Sequence, residues 1–320
     1  MASPQAEPNF TSDVAASTTS AIDPGTQIGP VALTVGNLER SLAFYTGAMG
    51  FALLERGEAS ATLGAGGTPL LLLEEAPGAR AFPGHGVTGL YHFAILVPTR
   101  ADLGRWLRHW MESGYGLPGQ GDHLVSEALY LSDPDGNGIE VYRDRPRSEW
   151  TWAGGTVRMA ADPVDIRGVL AEADAQPQPW SGMAAGTRIG HVHLQVGDIA
   201  RARAFYHDIL GFDITAEMPA ALFVSAGGYH HHLGMNTWQS RGAGPAPEGT
   251  AGLRFYTIEL PSAAAREAVV ARLTAAGIDH AASNGVVTVR DPWRNVIALA
   301  EQPVTDATAA AALGAAEPVA

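Results

Sequence analysis

A chain of 320 residues is long enough for about two domains. Its 46% apolar and 17% charged content supports ordinary buried cores, and no apolar run approaches the roughly 18–20 residues that would span a bilayer. A net charge of −13 without a basic stripe argues against nucleic acid as a partner, because that affinity rests on neutralising phosphates. With no cysteine, disulfides, thiolate nucleophiles and thiolate metal sites are all excluded. Any metal must be held by imidazole and carboxylate, a set that suits iron, manganese, zinc or nickel. The lack of cysteine also fits a cytoplasmic protein.

Taken in order, residues 1–26 are rich in Ser, Thr, Ala and Pro and read as a disordered tail without the pattern of a signal peptide. "QIGPVALTV" (27–35) predicts a strand, followed by a helix ending in "GAMGF". "GLYHFAILVPTRADLGRWLRHWMESGY" (89–115) is again strand then helix, and "LYLSDPDGNGIEVYRD" (129–144) is a hairpin with a glycine-rich turn. Residues 146–186, with "TWAGG" and "AQPQPWSG", read as a linker. "RIGHVHLQV" (188–196) opens the next strand–helix pair. Its helix carries Ile199, Ala202, Phe205, Tyr206 and Ile209 at helical spacing, with Gly211 as a C-cap. Then come strands within "LFVSAGGYHHHLGMN" (222–236), a strand–helix pair over 252–278, and the hairpin "VVTVRDPWRNVIALAE" (286–301). Residues 304–320 read as a second tail whose alanines could form a frayed helix.

These elements repeat. "GPVALTVGNLERSLAFYTGAMGF" (29–51) matches "GHVHLQVGDIARARAFYHDILGF" (190–212), and each half holds a weaker second copy. The unit is strand, helix, then about three strands, and it occurs four times. The halves are residues 27–145 (modules 1 and 2) and 187–303 (modules 3 and 4). Two motifs recur or stand out: a helix end with Phe44, Tyr45, Gly50 and Phe51, repeated as Phe205, Tyr206, Gly211 and Phe212; and a hairpin with Asp133, Pro134, Asp135, Gly136, Asn137, Ile139 and Glu140. With these motifs the chain resembles the vicinal oxygen chelate superfamily, which includes glyoxalase I, fosfomycin and bleomycin resistance proteins, and extradiol dioxygenases. The resemblance implies an α+β fold of four βαβββ modules in two domains. Modules pair so that a mixed sheet curls into a cup, and their first and last strands point ligands into it.

Alternation along "HVHLQV" puts Val192, Leu194 and Val196 on one face, and His191, His193 and Gln195 on the other, in the cup. At the ligand positions module 1 offers Pro30 and the apolar "LLLL" (70–73), and module 4 offers Phe255 and Ala298. Module 2 offers His92 and Glu140, and module 3 offers His191 and the run His230, His231 and His232. Pairing in chain order would leave both cups incomplete. Pairing module 2 with module 3 gives one full metal set: His92, Glu140 and His191. Two histidines and one carboxylate form the facial triad of non-haem Fe(II) oxygenases, with three positions open.

Within the superfamily that set resembles the extradiol dioxygenases, of the two-domain catechol 2,3-dioxygenase-like branch. The implied activity is cleavage of a catechol-type aromatic by O2 with Fe(II), Mn(II) being the other candidate metal, as in aromatic catabolism. Tyr130 and His123 fall where that branch carries residues that orient substrate. The histidine run falls where it carries its acid–base histidine. Alternation favours His230 and His232 in the cup, while the family register favours His231, and a bulge would reconcile the two. His231 and His232 are the catalytic candidates, with His193 and His230 as substrate contacts. The alternatives are a glyoxalase-like lyase or isomerase, with a fourth ligand from the histidine run, and a non-catalytic drug-binding protein. No membrane or nucleic-acid partner is expected, and a homo-oligomer is compatible with the sequence.

Overall fold

The computed structural model describes residues 21–304. All four repeats fold as strand, helix and three strands. Each helix starts behind a polar N-cap whose side chain accepts a backbone N–H three residues on: Asn37, Thr99, Asp198 and Ser262. The helices of modules 1 and 3 are not uniformly α as their spacing predicts. Leu38–Leu42 continues as a π-helix over Ala43–Ala48, and Ile199–Arg203 as one over Ala204–Ile209. The wider turn carries the Phe-Tyr pair of the repeated motif. Just beyond it Gly211 takes φ +89°, the left-handed conformation expected of a C-cap glycine.

The strands form two eight-stranded sheets, and each combines one module from either half of the chain. The first strand of module 1, Gln27–Val35, runs antiparallel to that of module 4, Gly252–Glu259. The first strand of module 2, Gly89–Leu96, runs antiparallel to that of module 3, Arg188–Gln195. Within module 2 the first strand lies parallel to the last, Gly138–Asp144, with Ala94 beside Glu140. Module 3 repeats this, with Val192 beside Leu233 of its last strand, Leu233–Asn236. The 2-with-3 pairing expected from the ligand positions is the pairing found. One apolar core joins the sheets, taking Val31, Leu33 and Val35 from one and Val192, Leu194 and Val196 from the other.

Two features hold this arrangement. Tyr45 on the helix of module 1 donates its hydroxyl to Asp133 in the hairpin turn of module 2, at 2.8 Å. Tyr206 of module 3 does the same to Asp291 of module 4, also at 2.8 Å. Each aspartate further accepts two backbone N–H groups and an asparagine amide from its own turn. The two motifs of the sequence are therefore two halves of one buried contact, which ties modules of the same chain half across different sheets.

The linker is more structured than its composition suggests. It contains a short hairpin, Trp152–Ala153 with Thr156–Val157, and an α-helix over Ile166–Ala175. Ile166, Val169, Leu170 and Ala173 form an apolar stripe at helical spacing, and Asp165 caps its start. The helix Arg100–Glu112 admits it closely at Gly104, where a Cβ would lie 2.3 Å from the Val169 carbonyl oxygen. The tail expected through residue 26 is packed against the fold at Ile22 and Thr26. Ile22 is buried and donates its N–H to the Gly211 carbonyl at 2.7 Å. An apolar side chain covering the helix exit of module 3 is the physical reason. The rest of both predicted tails lies outside the described residues.

Candidate metal centre

The site grows from three strands of the module 2–module 3 sheet. His92 stands on the first strand of module 2, Glu140 beside it on the last strand, and His191 on the antiparallel first strand of module 3. The ladder between the two first strands shifts register between Ile189 and His191. Gly190 sits in that irregularity, and a Cβ there would come within 1.8 Å of the Tyr142 hydroxyl. Glycine is thus required where the Tyr142 phenol, reaching from the last strand of module 2, passes under the strand that carries His191.

The three donor atoms converge. His92 Nε2 lies 3.0 Å from Glu140 Oε2, and His191 Nε2 lies 3.1 Å from the same oxygen. The two imidazole nitrogens are 3.4 Å apart. All three side chains are buried, and among the described residues this is the group of metal-ligating side chains close enough to share an ion. Donors about 2.1 Å from a divalent metal and at right angles to each other lie about 3.0 Å apart. The observed triangle fits that requirement. His191 Nδ1 is buried without a hydrogen-bond partner, so nothing in the protein competes for the ring through that atom.

Burial opposes ionisation of Glu140, but the imidazoles of His191 and His92 outweigh it and hold the carboxyl well below its usual range. Burial lowers His92 in turn, with Glu140 pulling the other way. A bound cation takes the carboxylate ionised and its imidazole donors unprotonated, so metal loading competes with protons at this site.

Around the triad the sequence-predicted residues separate. Tyr130 lies against His92, ring centroids 5.6 Å apart, and its hydroxyl meets His123 Nε2 at 2.5 Å. His123 Nδ1 donates to the Ala160 carbonyl of the linker at 2.7 Å, which makes Nε2 the acceptor of the Tyr130 proton. Burial and then Glu140 raise the Tyr130 phenol well above its usual value, so it stays protonated. His193 packs between Tyr91, Trp238 and Phe223, with His92 on its other side. Asn236 fixes His193 Nε2 at 3.0 Å.

The histidine run does not follow strand alternation, because regular pairing of the last strand starts only at Leu233. His231 is the member at the triad, its ring 4.2 Å from that of His191. Burial, then His191 and His230, hold its imidazole well below the usual range. His230 lies behind it, fully buried, with Nε2 at 2.9 Å from Asp144. His232 turns away: its Nδ1 accepts the Ala226 N–H at 3.1 Å, and burial pushes it down to about 3. Of the remaining histidines, His109 stacks on Trp180 and bonds the Gly47 carbonyl, and His207 bonds the Phe212 carbonyl.

Sequence reasoning missed Asp144, Tyr91 and Trp238. Asp144 was legible, because Glu140, Tyr142 and Asp144 alternate along one strand face. Tyr91 and Trp238 carried no such signal. They belong to the rim, and Trp238 lies on a loop, 52% exposed.

The opposite cup shows what the site is not. There the corresponding face is filled by Ala32, Leu72, Phe255, Ala298 and Val304, an apolar cluster without a ligating side chain.

A cupped mixed sheet closed by two paired βαβββ modules, with a buried two-histidine, one-carboxylate triad inside, defines a vicinal oxygen chelate protein. The model of the Glyoxalase/Bleomycin resistance protein/Dioxygenase superfamily matches residues 27–141 and 188–299, and the chain belongs to that superfamily. The curated catechol-2,3-dioxygenase of Bacillus subtilis (strain 168) is 48% identical over 271 residues, covering 83% of this chain and 94% of the relative. Among solved structures, a candidate dioxygenase from Bacillus subtilis subsp. subtilis str. 168 superposes with TM-score 0.59 at 13% identity, covering 89% of this chain and 87% of that one. Glyoxalase I from Zea mays superposes with TM-score 0.51 at 18% identity, covering 86% and 92%. These structural likenesses bear on the fold alone.

Proposed function

We propose that the chain is an extradiol dioxygenase that opens the ring of a catechol-type aromatic with O2, using Fe(II) held by His92, Glu140 and His191. The observation that carries this reading is a three-donor triad with no fourth ligating side chain among the described residues. A glyoxalase-type site with a ligand from the histidine run would need one more. The close relative named catechol-2,3-dioxygenase supports the same reading. When bound, the metal supplies the redox and Lewis-acid chemistry that brings an electron-rich diol and O2 together. Everything else falls to the protein.

His231 accepts a substrate hydroxyl proton. It is neutral, and its ring lies against His191 at the edge of the triad. Tyr130, kept protonated, donates toward a substrate oxygen or rests on His123, and so orients the diol. His193, Phe223 and Tyr91 give the aromatic ring uncharged faces to pack on. The ring opens beside the two hydroxyls, not between them.

The test is direct. The protein is loaded with Fe(II) under anaerobic conditions, mixed with catechol and substituted catechols, and exposed to O2. A yellow ring-cleavage product is expected. Silence with every diol, in protein shown by metal analysis to hold iron, would reject the reading. Mn(II) loaded in parallel decides between the two metals.

A further inference from the structure

The histidine run contains a second hydrogen-bonded chain, which the ligand set does not use. Asp144 Oδ1 lies 2.9 Å from His230 Nε2, and His230 Nδ1 lies 2.8 Å from His231 Nδ1. His230 has no freedom to turn. It is fully buried, its ring lies 4.1 Å from that of Tyr229, and its carbonyl accepts the Thr215 hydroxyl at 2.6 Å. Asp144 is anchored as well, since Tyr229 donates to the same carboxylate oxygen at 3.2 Å and itself meets the Tyr142 hydroxyl at 2.7 Å.

With both imidazoles neutral, counting donors along the chain fixes its polarity. A carboxylate only accepts, so His230 Nε2 carries the proton. A neutral imidazole then has a lone pair on its other nitrogen, so His230 Nδ1 accepts. The donor at His231 is therefore Nδ1–H. His231 Nε2 is left with the lone pair. Of the two His231 tautomers, only this one presents a proton acceptor at Nε2.

We propose that Asp144 and His230 are positioning residues that hold His231 in its Nδ1–H tautomer, so that Nε2 is ready to take a proton from the substrate. The inference rests on the dioxygenase reading for the identity of that proton, but not for the tautomer. The step balances within the chain. The lone pair of His231 Nε2 forms an N–H bond as the substrate O–H bond breaks, and its electrons stay on the substrate oxygen. His231 Nδ1–H keeps donating to His230, so no other proton has to move.

The test reads the tautomer first. The full chain, labelled with 15N in its histidine rings and loaded with Zn(II), is examined by long-range proton–nitrogen correlation. His231 should show a protonated Nδ1 and an unprotonated Nε2. His230→Leu should abolish that preference while Zn(II) affinity stays within about threefold. His230→Gln should restore it, because an amide can donate to Asp144 and accept from His231. In the Fe(II) enzyme, His230→Leu should lower kcat about 100-fold with KM for catechol nearly unchanged, in line with loss of a positioned proton acceptor. Where His230→Leu does not fold, Asp144→Ala, at a partly exposed strand end, should give the same loss of tautomer. A wild-type His231 protonated at Nε2, or a His230→Leu enzyme with unchanged tautomer and kcat, overturns the proposal. The expected spectrum with no ring cleavage from any catechol would support the positioning role and reject the activity.

Discussion

At the scale of single residues, the triad was legible because strands alternate. Period-two patterning puts His92, Glu140 and His191 on inward faces, and nothing about their chemistry needs a special backbone. His92→Ala, Glu140→Ala and His191→Ala are each expected to abolish or greatly weaken metal binding, measured as metal retained after gel filtration. Phe255 and Ala298 show that the fold itself does not need these side chains at the matching positions of the other cup. The histidine run was not legible in the same way. Its members fall where the chain leaves a turn and joins the sheet only at His232, so alternation could not say which one enters the cup. Only the position of His231 beside His191 separates them.

Elements carry a second class of constraint, visible where two of them touch. Gly190 lets the Tyr142 phenol pass beneath the ligand strand. Gly190→Ala should cost about 1–3 kcal/mol by overpacking, read from a denaturant midpoint, and should lower metal content by moving His191. The hairpin of module 2 holds a buried charge network, in which Glu127 pairs with Arg100 and Arg143. Burial alone would raise this carboxyl, but the two guanidiniums together hold it below its usual value. As pH falls the unfolded chain therefore takes up this proton first. The contribution is whole above the unfolded carboxyl value of about 4.3 and is lost as pH drops through the lower folded-state value. Glu127→Gln should remove that part of the acid transition, and should cost roughly 1–3 kcal/mol at neutral pH because the buried Arg143 and the half-buried Arg100 lose their charged partner. The linker helix shows the limit of reading by composition. Its Pro- and Gly-rich flanks pointed to a joint, while the apolar spacing from Ile166 to Ala173 was present in the sequence and outweighed them in the fold.

For the whole molecule, the distribution of ligands between modules foretold which modules meet. That inference worked because a metal site needs all of its ligands in one place, whatever the order of the chain. The second cup, packed with Ala32, Leu72 and Phe255, should bind nothing, so metal analysis is expected to give one ion per chain. Pro30→His should leave that stoichiometry and the activity unchanged if the fold survives, because position 30 belongs to the other sheet. The partnership of Tyr45 with Asp133 and of Tyr206 with Asp291 could not be foreseen from the motifs alone, since they lie in different modules. Tyr45→Phe and Tyr206→Phe should each cost about 1.5–3 kcal/mol, read by thermal or denaturant unfolding, for a buried hydrogen bond to a carboxylate.

The nested pairing of modules also governs what happens when the chain is cut. In a protein whose repeats pair in order, cleavage of the connection after residue 145 would release two self-sufficient pieces. Here each fragment would carry two half-sheets whose partners lie in the other fragment. A nick in the exposed turn at Gly154 and Gly155 should therefore leave a non-covalent complex that elutes as one species and keeps its metal. The separate fragments should be insoluble or pair with copies of themselves until they are mixed. The chain behaves as a ready-made split protein, in which recovery of the metal site reports the meeting of its two halves.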